Sequence, residues 1–161
     1  MGKGEVSNVN EAEEFVVFPA GAMHCALPAA SVAELIPAQE VYSFPHTSRE
    51  ILGIILRRGK VIPLYDLAGL LKLPESAPAQ YYLIAFRHAA ERAELAALPV
   101  SGECDLVSAD VFPTKSSTPG VVGELMWESR SCDLLDLDEL ILPQAARPQR
   151  ASETPAVECA Q

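Results

Sequence analysis

Two stretches of this chain repeat each other. A shift of 70 residues lays residues 51–71 on 121–141, 21 positions without a gap. Ile51-Leu52-Gly53-Ile54-Ile55-Leu56 falls on Val121-Val122-Gly123-Glu124-Leu125-Met126, and Leu64-Tyr65-Asp66-Leu67 falls on Leu134-Leu135-Asp136-Leu137. Leu70-Leu71 falls on Leu140-Ile141. Each copy reads as a strand carrying a glycine, a turn, a strand ending Leu-x-Asp-Leu, and a short apolar helix. The glycine permits close backbone approach. The aspartate leaves the strand and caps the helix, whose apolar residues plug one end of a small barrel. Further upstream, Leu27-Pro28 corresponds to Leu98-Pro99 only if gaps are allowed. The chain therefore holds two similar β units.

Strand and turn signals fill in the rest. Glu14–Phe18 and Met23–Leu27 are β-branched and aromatic runs joined around Pro19-Ala20-Gly21-Ala22, a hairpin pattern. Ser31–Ile36 alternates until Pro37 stops it, and Gln39–Pro45 is extended. Thr47 or Ser48 carries a helix-start signal. Gly53–Leu56 and Lys60–Tyr65 flank Arg57-Arg58-Gly59, a tight turn in which Gly59 is free to take positive φ. Asp66 caps a helix over Leu67–Leu73, and Pro74–Gln80 is a linker. Gln80–Phe86 is a strong strand. His88–Leu98 is rich in Ala and Glu and reads either as a helix or as a hairpin tip with its return strand. Asp105–Phe112 is extended, Thr114–Gly120 is a polar loop, Val121–Trp127 and Cys132–Leu137 are strands, and Asp138–Leu142 is a short helix. Residues 1–13 and 144–161 are polar or Ala/Pro-rich without periodicity and are expected to be disordered.

Composition narrows the function. The net charge is −10, from 12 basic and 22 acidic residues, which repels nucleic acid phosphates and anionic lipid. The four cysteines are scattered without a C-x-x-C pair, and the N-terminus lacks an apolar segment of the secretory kind. Reduced thiols, a soluble cytoplasmic protein and no membrane insertion are the expectations. No G-x-S-x-G, phosphate-binding glycine loop or H-E-x-x-H occurs. His24, His46 and His88 fall in different elements, and His24 and Cys25 point to opposite faces of one strand. No catalytic residue, metal site or cofactor is expected.

Gly53-x-x-x-x-Arg58-Gly59-x-Val61-Ile62-Pro63-x-x-Asp66-Leu67 resembles the signature of the CheW-like coupling proteins of bacterial chemosensory systems. Val32-Ala33-Glu34-Leu35 resembles that family's V-x-E-[IL] strand, and Gly123 with Leu134-Leu135-Asp136-Leu137 resembles its second-half elements. The resemblance covers residues 14–143. It implies a mainly all-β fold of two SH3-like five-stranded barrels packed side by side, with short helical turns and a groove between them. On the chain, subdomain 1 is placed at about 14–75 and subdomain 2 at 80–143. The implied role is a non-enzymatic adaptor that joins the cytoplasmic tip of methyl-accepting chemoreceptors to the regulatory domain of a CheA-type histidine kinase, peripheral to receptor arrays and monomeric alone. Leu56 stands where the family usually has Asn, and Ala68 where Arg often follows Asp-Leu. These departures suggest a divergent relative, such as one serving a type IV pilus (twitching) system, or an accessory regulator that binds only one partner.

The candidate partner-binding residues are Arg58, Glu34, Arg57, Lys60, Val32 and Leu35. Arg58 can pair with a partner carboxylate or carbonyl through its planar fork, or brace the turn by bonding its carbonyls. Arg57 and Lys60 complete a basic cluster that is either partner-facing or ordinary solvated turn charge. Glu34 is a partner contact or simply exposed. Val32 and Leu35 divide between core and interface, since one face of their strand lies near the partner. Asp66 and Asp136 read as helix caps, and Trp127 as a core or edge plug that an exposed position would turn into an interface anchor.

Overall fold

The structure is a computed structural model that describes residues 13–43, 49–74, 78–89 and 92–141. The expected disordered ends, except for Glu13, and the helix start at Thr47 or Ser48 lie outside the described residues. Ten strands and two helical turns follow in order: β1 (Glu13–Ala20), β2 (Met23–Pro28), β3 (Val32–Pro37), β4 (Ile51–Arg57), β5 (Lys60–Tyr65), α1 (Leu67–Leu70), β6 (Tyr81–Ala89), β7 (Arg92–Val100), β8 (Asp105–Ala109), β9 (Val121–Trp127), β10 (Arg130–Leu135) and α2 (Leu137–Leu140). A 3-10 turn, Ala29–Ser31, joins β2 to β3.

The repeat is reproduced strand for strand. β4, β5 and α1 map onto β9, β10 and α2 with the 70-residue shift at both ends of each element. The two β5-type strands share one burial pattern, with an exposed start and a buried end. Asp66 accepts a hydrogen bond from the Gly69 backbone N–H, and Asp136 one from the Asp138 N–H. Both are helix caps, as expected. The correspondence also runs further upstream than the gapless alignment. Tyr42 bridges Ile54 through paired N–H···O bonds of 2.8 and 2.9 Å, and Phe112 bridges Glu124 in the same way. These bridges fold the chain that leaves β3 or β8 onto the far edge strand and close each sheet into a barrel. The close approach explains the glycines: a Cβ on Gly53 or Gly123 would lie 2.6 or 2.7 Å from Val41 Cγ1 or Val111 Cγ1.

Sheet membership does not follow chain order. One sheet runs β8-β1-β2-β10-β9 and the other β3-β6-β7-β5-β4. In both, two antiparallel pairs meet at a parallel contact, Leu134 beside Ala26 in one and Leu64 beside Ala97 in the other. The copies of the repeat have thus exchanged their leading hairpins. The β1–β2 hairpin completes the barrel of the second copy, and β6–β7 completes that of the first. The boundary at about residues 75–80 separates the two copies of the repeat but not the two sheets.

The exchange places the core. Each barrel interior is small: six buried residues around Phe15 and Leu125 in one, seven around Ile55 and Ile84 in the other. The largest cluster holds 17 buried residues and lies between the barrels, with Phe18, Cys25 and Leu27 against Leu83, Ala96 and Leu98, sealed by Leu67, Leu137 and Leu140. Most of the hydrophobic stabilisation is therefore shared. It also explains the Ala/Glu-rich stretch His88–Leu98, which is largely the return strand β7. Ala96, Ala97 and Leu98 are fully buried, because the strand is covered on both faces and only small side chains fit. The helical segments are shorter than the sequence suggested. α1 stops at Leu70, and Lys72 then turns the chain with φ 59°, while α2 begins one residue earlier, at Leu137.

Candidate partner-binding site

The turn between β4 and β5 is a two-residue loop. Arg57 pairs with Lys60, while Arg58 and Gly59 both take positive φ, 54° and 75°. That geometry matches the right-handed twist of the flanking strands. It aims the two arginines differently. Arg57 has the strand parity of Gly53 and Ile55 and turns toward the barrel seam. There its Nε and Nη2 donate to both Glu34 carboxylate oxygens at 3.1 and 3.0 Å. This bidentate pair ties the end of β4 to β3, and the hydrogen bond from Arg57 holds the Glu34 carboxyl below its ordinary pKa. The pair stays ionised at neutral pH, and its contribution is lost only as acidification passes through that lowered value.

Arg58 is left extended into solvent. Its side chain is 74% exposed and reaches no nearer to Glu34 than 4.0 Å. Among the described residues no other ion pair involves Arg58, and none involves Lys60. So Glu34, Arg57 and Arg58 do come together, but Arg57 braces the seam and Arg58 is the available cation. Leu56 and Val61 sit opposite each other beside the turn and are both exposed, which gives the basic tip an apolar base. Leu35 is also exposed, whereas Val32 is half-buried against the shared core.

Exposed apolar side chains recur in pairs related by the repeat. Leu35 and Leu106, Tyr42 and Phe112, Leu52 and Val122, and Leu56 and Met126 occupy matching positions on the two barrels. A single exposed leucine needs no explanation, but the pairing shows that each barrel presents the same apolar strip. The turns above the strips differ in chemistry. The β9–β10 loop keeps the backbone, with Glu128 and Ser129 at φ 52° and 64°, but replaces the free cation with an acid. Behind it, Glu124 and Asp133 face each other across the strands. Desolvation, then the Glu124 charge, holds Asp133 above the usual carboxylate range. Trp127 is half-buried at the barrel end, 6.1 Å from the His24 ring, and the Arg130 guanidinium lies 5.9 Å from its centroid. It is an edge plug rather than an open anchor.

Two grooves flank the shared core. The larger, about 570 Å³, runs between Pro28 and Val122 on the side of the β1-containing barrel and Phe86 and His88 of β6, with Leu137 and Asp138 of α2 at its rim. The smaller, about 460 Å³, is its counterpart under the repeat, with Leu52, Asp66 and Ala68 where the first has Val122, Asp136 and Asp138. The larger groove thus carries two exposed carboxylates where the smaller carries one. The resemblance implied a groove between the barrels, but the residues alone gave neither its lining nor a second groove, because they could not tell which hairpin completes which barrel. Sequence reading also missed Val41-Tyr42 and Val111-Phe112, matching dipeptides 70 residues apart that signal the closure.

His24 contacts Arg130 at 3.0 Å and is held below its ordinary pKa, chiefly by desolvation and then by that guanidinium. His88 lies 3.5 Å from Asp138, and His46 is outside the described residues. Among the described residues no three His, Cys, Asp or Glu side chains converge on a metal-binding geometry. Cys25, Cys104 and Cys132 are free thiols, and no described helix is long and apolar enough to cross a membrane.

No curated protein matches the chain. Among solved structures, the scaffolding protein TtCheW from Thermoanaerobacter tengcongensis superposes with a TM-score of 0.70 at 21% identity, covering 83% of this chain and 90% of that one. That likeness is one of fold, and it matches the two-barrel architecture. The family model described as the CheW-like domain matches residues 14–143, nearly all of the described chain. The chain belongs to the CheW-like domain family.

Proposed function

We propose that this protein is a non-enzymatic chemosensory coupling adaptor that binds the regulatory domain of a CheA-type histidine kinase and the cytoplasmic tip of a chemoreceptor. The observation that carries the reading is the β4–β5 tip, where the Arg57–Glu34 pair occupies one arginine and leaves Arg58 and Lys60 projecting above exposed Leu56 and Val61. A cation that is largely exposed and only loosely paired with Glu34, at 4.0 Å, over a small apolar strip suits a partner domain with a carboxylate beside its own apolar edge. We assign this edge, with Leu35, to the kinase domain, and Val32 to a supporting role beneath it. The larger groove suits a helical receptor tip that presents an apolar face and a Lys or Arg toward Asp136 and Asp138. The protein acts as a monomer in the cytoplasm, at the periphery of receptor arrays, and needs no cofactor for this role.

Calorimetric titration of the purified chain with each partner tests the proposal. Arg58→Glu should weaken kinase-domain binding by at least tenfold, roughly 1.4 kcal/mol, and leave receptor-tip binding unchanged. If the unmodified chain binds neither partner, the adaptor reading is wrong. A second reading is supported by Leu56 and Ala68, which replace residues usual in the family: an accessory regulator of a pilus-type system that binds one partner only. Saturable binding to the kinase domain with none to any receptor tip would select it.

A further inference from the structure

The two grooves are alike in backbone, but their walls are fastened at different places. Arg87, on β6, is the only buried charged residue among those described, at 5% exposure. Its Nη2 donates to the Ile141 carbonyl at the end of α2, 2.7 Å away, while Nη1 lies 3.5 Å from both the Tyr65 hydroxyl and a Glu94 carboxylate oxygen. The neighbouring His88 N–H donates to Asp138 Oδ1 at 2.6 Å, and the His88 ring lies 3.5 Å from Oδ2. Phe86 and His88 form one wall of the larger groove, and Leu137 and Asp138 form the facing rim. Arg87 and Asp138 therefore join β6 of one barrel to α2 of the other at the groove's end.

At the smaller groove Ser101 bonds the Pro19 carbonyl through its N–H and accepts from the Gly21 N–H, tying the end of β7 to the β1–β2 turn, but among the described residues no bond joins that hairpin to α1. The strand register places Ala20 where Arg87 stands and the repeat places Ala68 where Asp138 stands. Packing does not call for a guanidinium at this position. Its Nε is buried and finds no acceptor among the described residues, and its carboxylate neighbour is at the long limit of pairing. A buried cation held this incompletely costs stability that an alkyl side chain would not. Its one short bond goes to the main chain of α2, so its evident work is to set where α2 sits.

We propose that Arg87, with Asp138, is a positioning residue for partner binding: it holds the two walls of the larger groove at fixed separation, so that a helical partner enters a pre-formed site. The inference rests on the assignment of the receptor tip to that groove. A groove already set at its bound width loses less freedom on association, and slackening it weakens binding without removing a contact.

The test uses the full chain, with a purified helical tip fragment of a chemoreceptor and the kinase regulatory domain as two separate probes. Arg87→Met, and Asp138→Glu, which keeps the charge but displaces the acceptor of the His88 N–H, should each weaken tip binding about tenfold, with kinase-domain affinity within about twofold of the parent. Arg87→Lys, which keeps a donor for the Ile141 carbonyl, should recover most of the loss. Val122→Glu, at an exposed groove-lining position, tests the groove assignment itself and should abolish tip binding. If Val122→Glu has no effect, the groove assignment fails and the proposal with it. If Val122→Glu abolishes binding while Arg87→Met and Asp138→Glu bind normally, the groove stands and the positioning role is refuted. Equal weakening of both partners would reduce Arg87 to a general structural role and also overturn the proposal. Should Arg87→Met fail to fold, Asp138→Glu decides alone, because its side chain is about half exposed, its charge is kept and the core is untouched.

Discussion

Replacing Gly53 by alanine should damage the protein far more than the same change at Gly123, although the repeat makes the two positions equivalent. At Gly53 the new Cβ meets Val41 Cγ1 at 2.6 Å and the Tyr42 carbonyl oxygen at 2.7 Å. The side chain can turn aside, but the carbonyl cannot, because it accepts the Ile54 N–H that helps close the barrel. Relief requires opening the Tyr42–Ile54 bridge, which forfeits two hydrogen bonds of about 1 kcal/mol each on top of about 1–3 kcal/mol of overpacking. The lower chain entropy of alanine in the unfolded state returns about 0.4–1 kcal/mol. The net loss is about 2–4 kcal/mol, or about 5–15 °C in melting temperature for a chain of this size. At Gly123 the Val111 methyl is at 2.7 Å, but the Phe112 oxygen is at 3.3 Å, a distance a small shift relieves. There the loss should be about 1 kcal/mol. Urea titration followed by circular dichroism reads both. Trimming the movable obstacle completes the test: Val111→Ala should rescue Gly123→Ala, whereas Val41→Ala should rescue Gly53→Ala only in part. Equal losses at the two glycines, or full rescue by Val41→Ala, would refute the claim that the carbonyl is the obstacle.

Ser129→Gly should raise the unfolding free energy, read by urea titration, by about 0.5–1 kcal/mol, because Ser129 holds φ 64° where the first barrel uses Gly59; a less stable variant would show that the loop is not strained there. Asp133 has its pKa raised in the folded state by desolvation and by Glu124, so its ionisation costs stability at neutral pH and the cost disappears as pH falls through that raised value. Asp133→Asn should therefore stabilise the protein at neutral pH and lose that advantage toward about pH 4, and urea midpoints across that range would expose an advantage that fails to shrink. In a Cys159→Ser background, the fully buried Cys25, its thiol pushed up to about 12, and the fully buried Cys132 should resist a disulfide reagent until the protein unfolds. Labelling in the native protein at the rate of a free thiol would contradict the shared core if at Cys25 and the packed barrel interior if at Cys132.

The strands of the repeat were legible because turn chemistry and parity both mark them. Asp66 and Asp136 announced their helix caps, and Gly59 its loop. Parity would also have separated the two arginines, since Arg57 follows Gly53 and Ile55 on the inward face and Arg58 begins the turn. The same count flags Arg87, which continues the inward row Tyr81, Leu83, Ala85 on β6. Period-2 patterning states which face a side chain takes but not which strand lies beside it. The hairpin exchange and the lining of the two grooves were therefore beyond reach, because the β2–β10 and β7–β5 contacts that create them are short parallel pairings with no signature of their own. The composition of β7 misled for a related reason: alanine favours helices in isolation, but here it meets a space requirement imposed from both faces.

The exchange also bears on how one small chain would hold the two unlike partners proposed for it. Each barrel borrows a hairpin from the other copy, and the largest apolar cluster lies between them, so the edge strips and the grooves are parts of one rigid unit. Duplication set the geometry twice: the same loop backbone, the same apolar strip and the same groove appear on each side. Shape alone would then let a partner dock in either of two places. The differences lie in charge. Arg58 and Lys60 stand at one loop and Glu128 at the other, while Asp138 and the Arg87 brace mark one groove and alanines mark its counterpart. Like charges brought together at the wrong site repel and complementary ones guide encounter at the right one. Discrimination between equivalent sites thus rests on a handful of polar substitutions placed over a duplicated apolar frame.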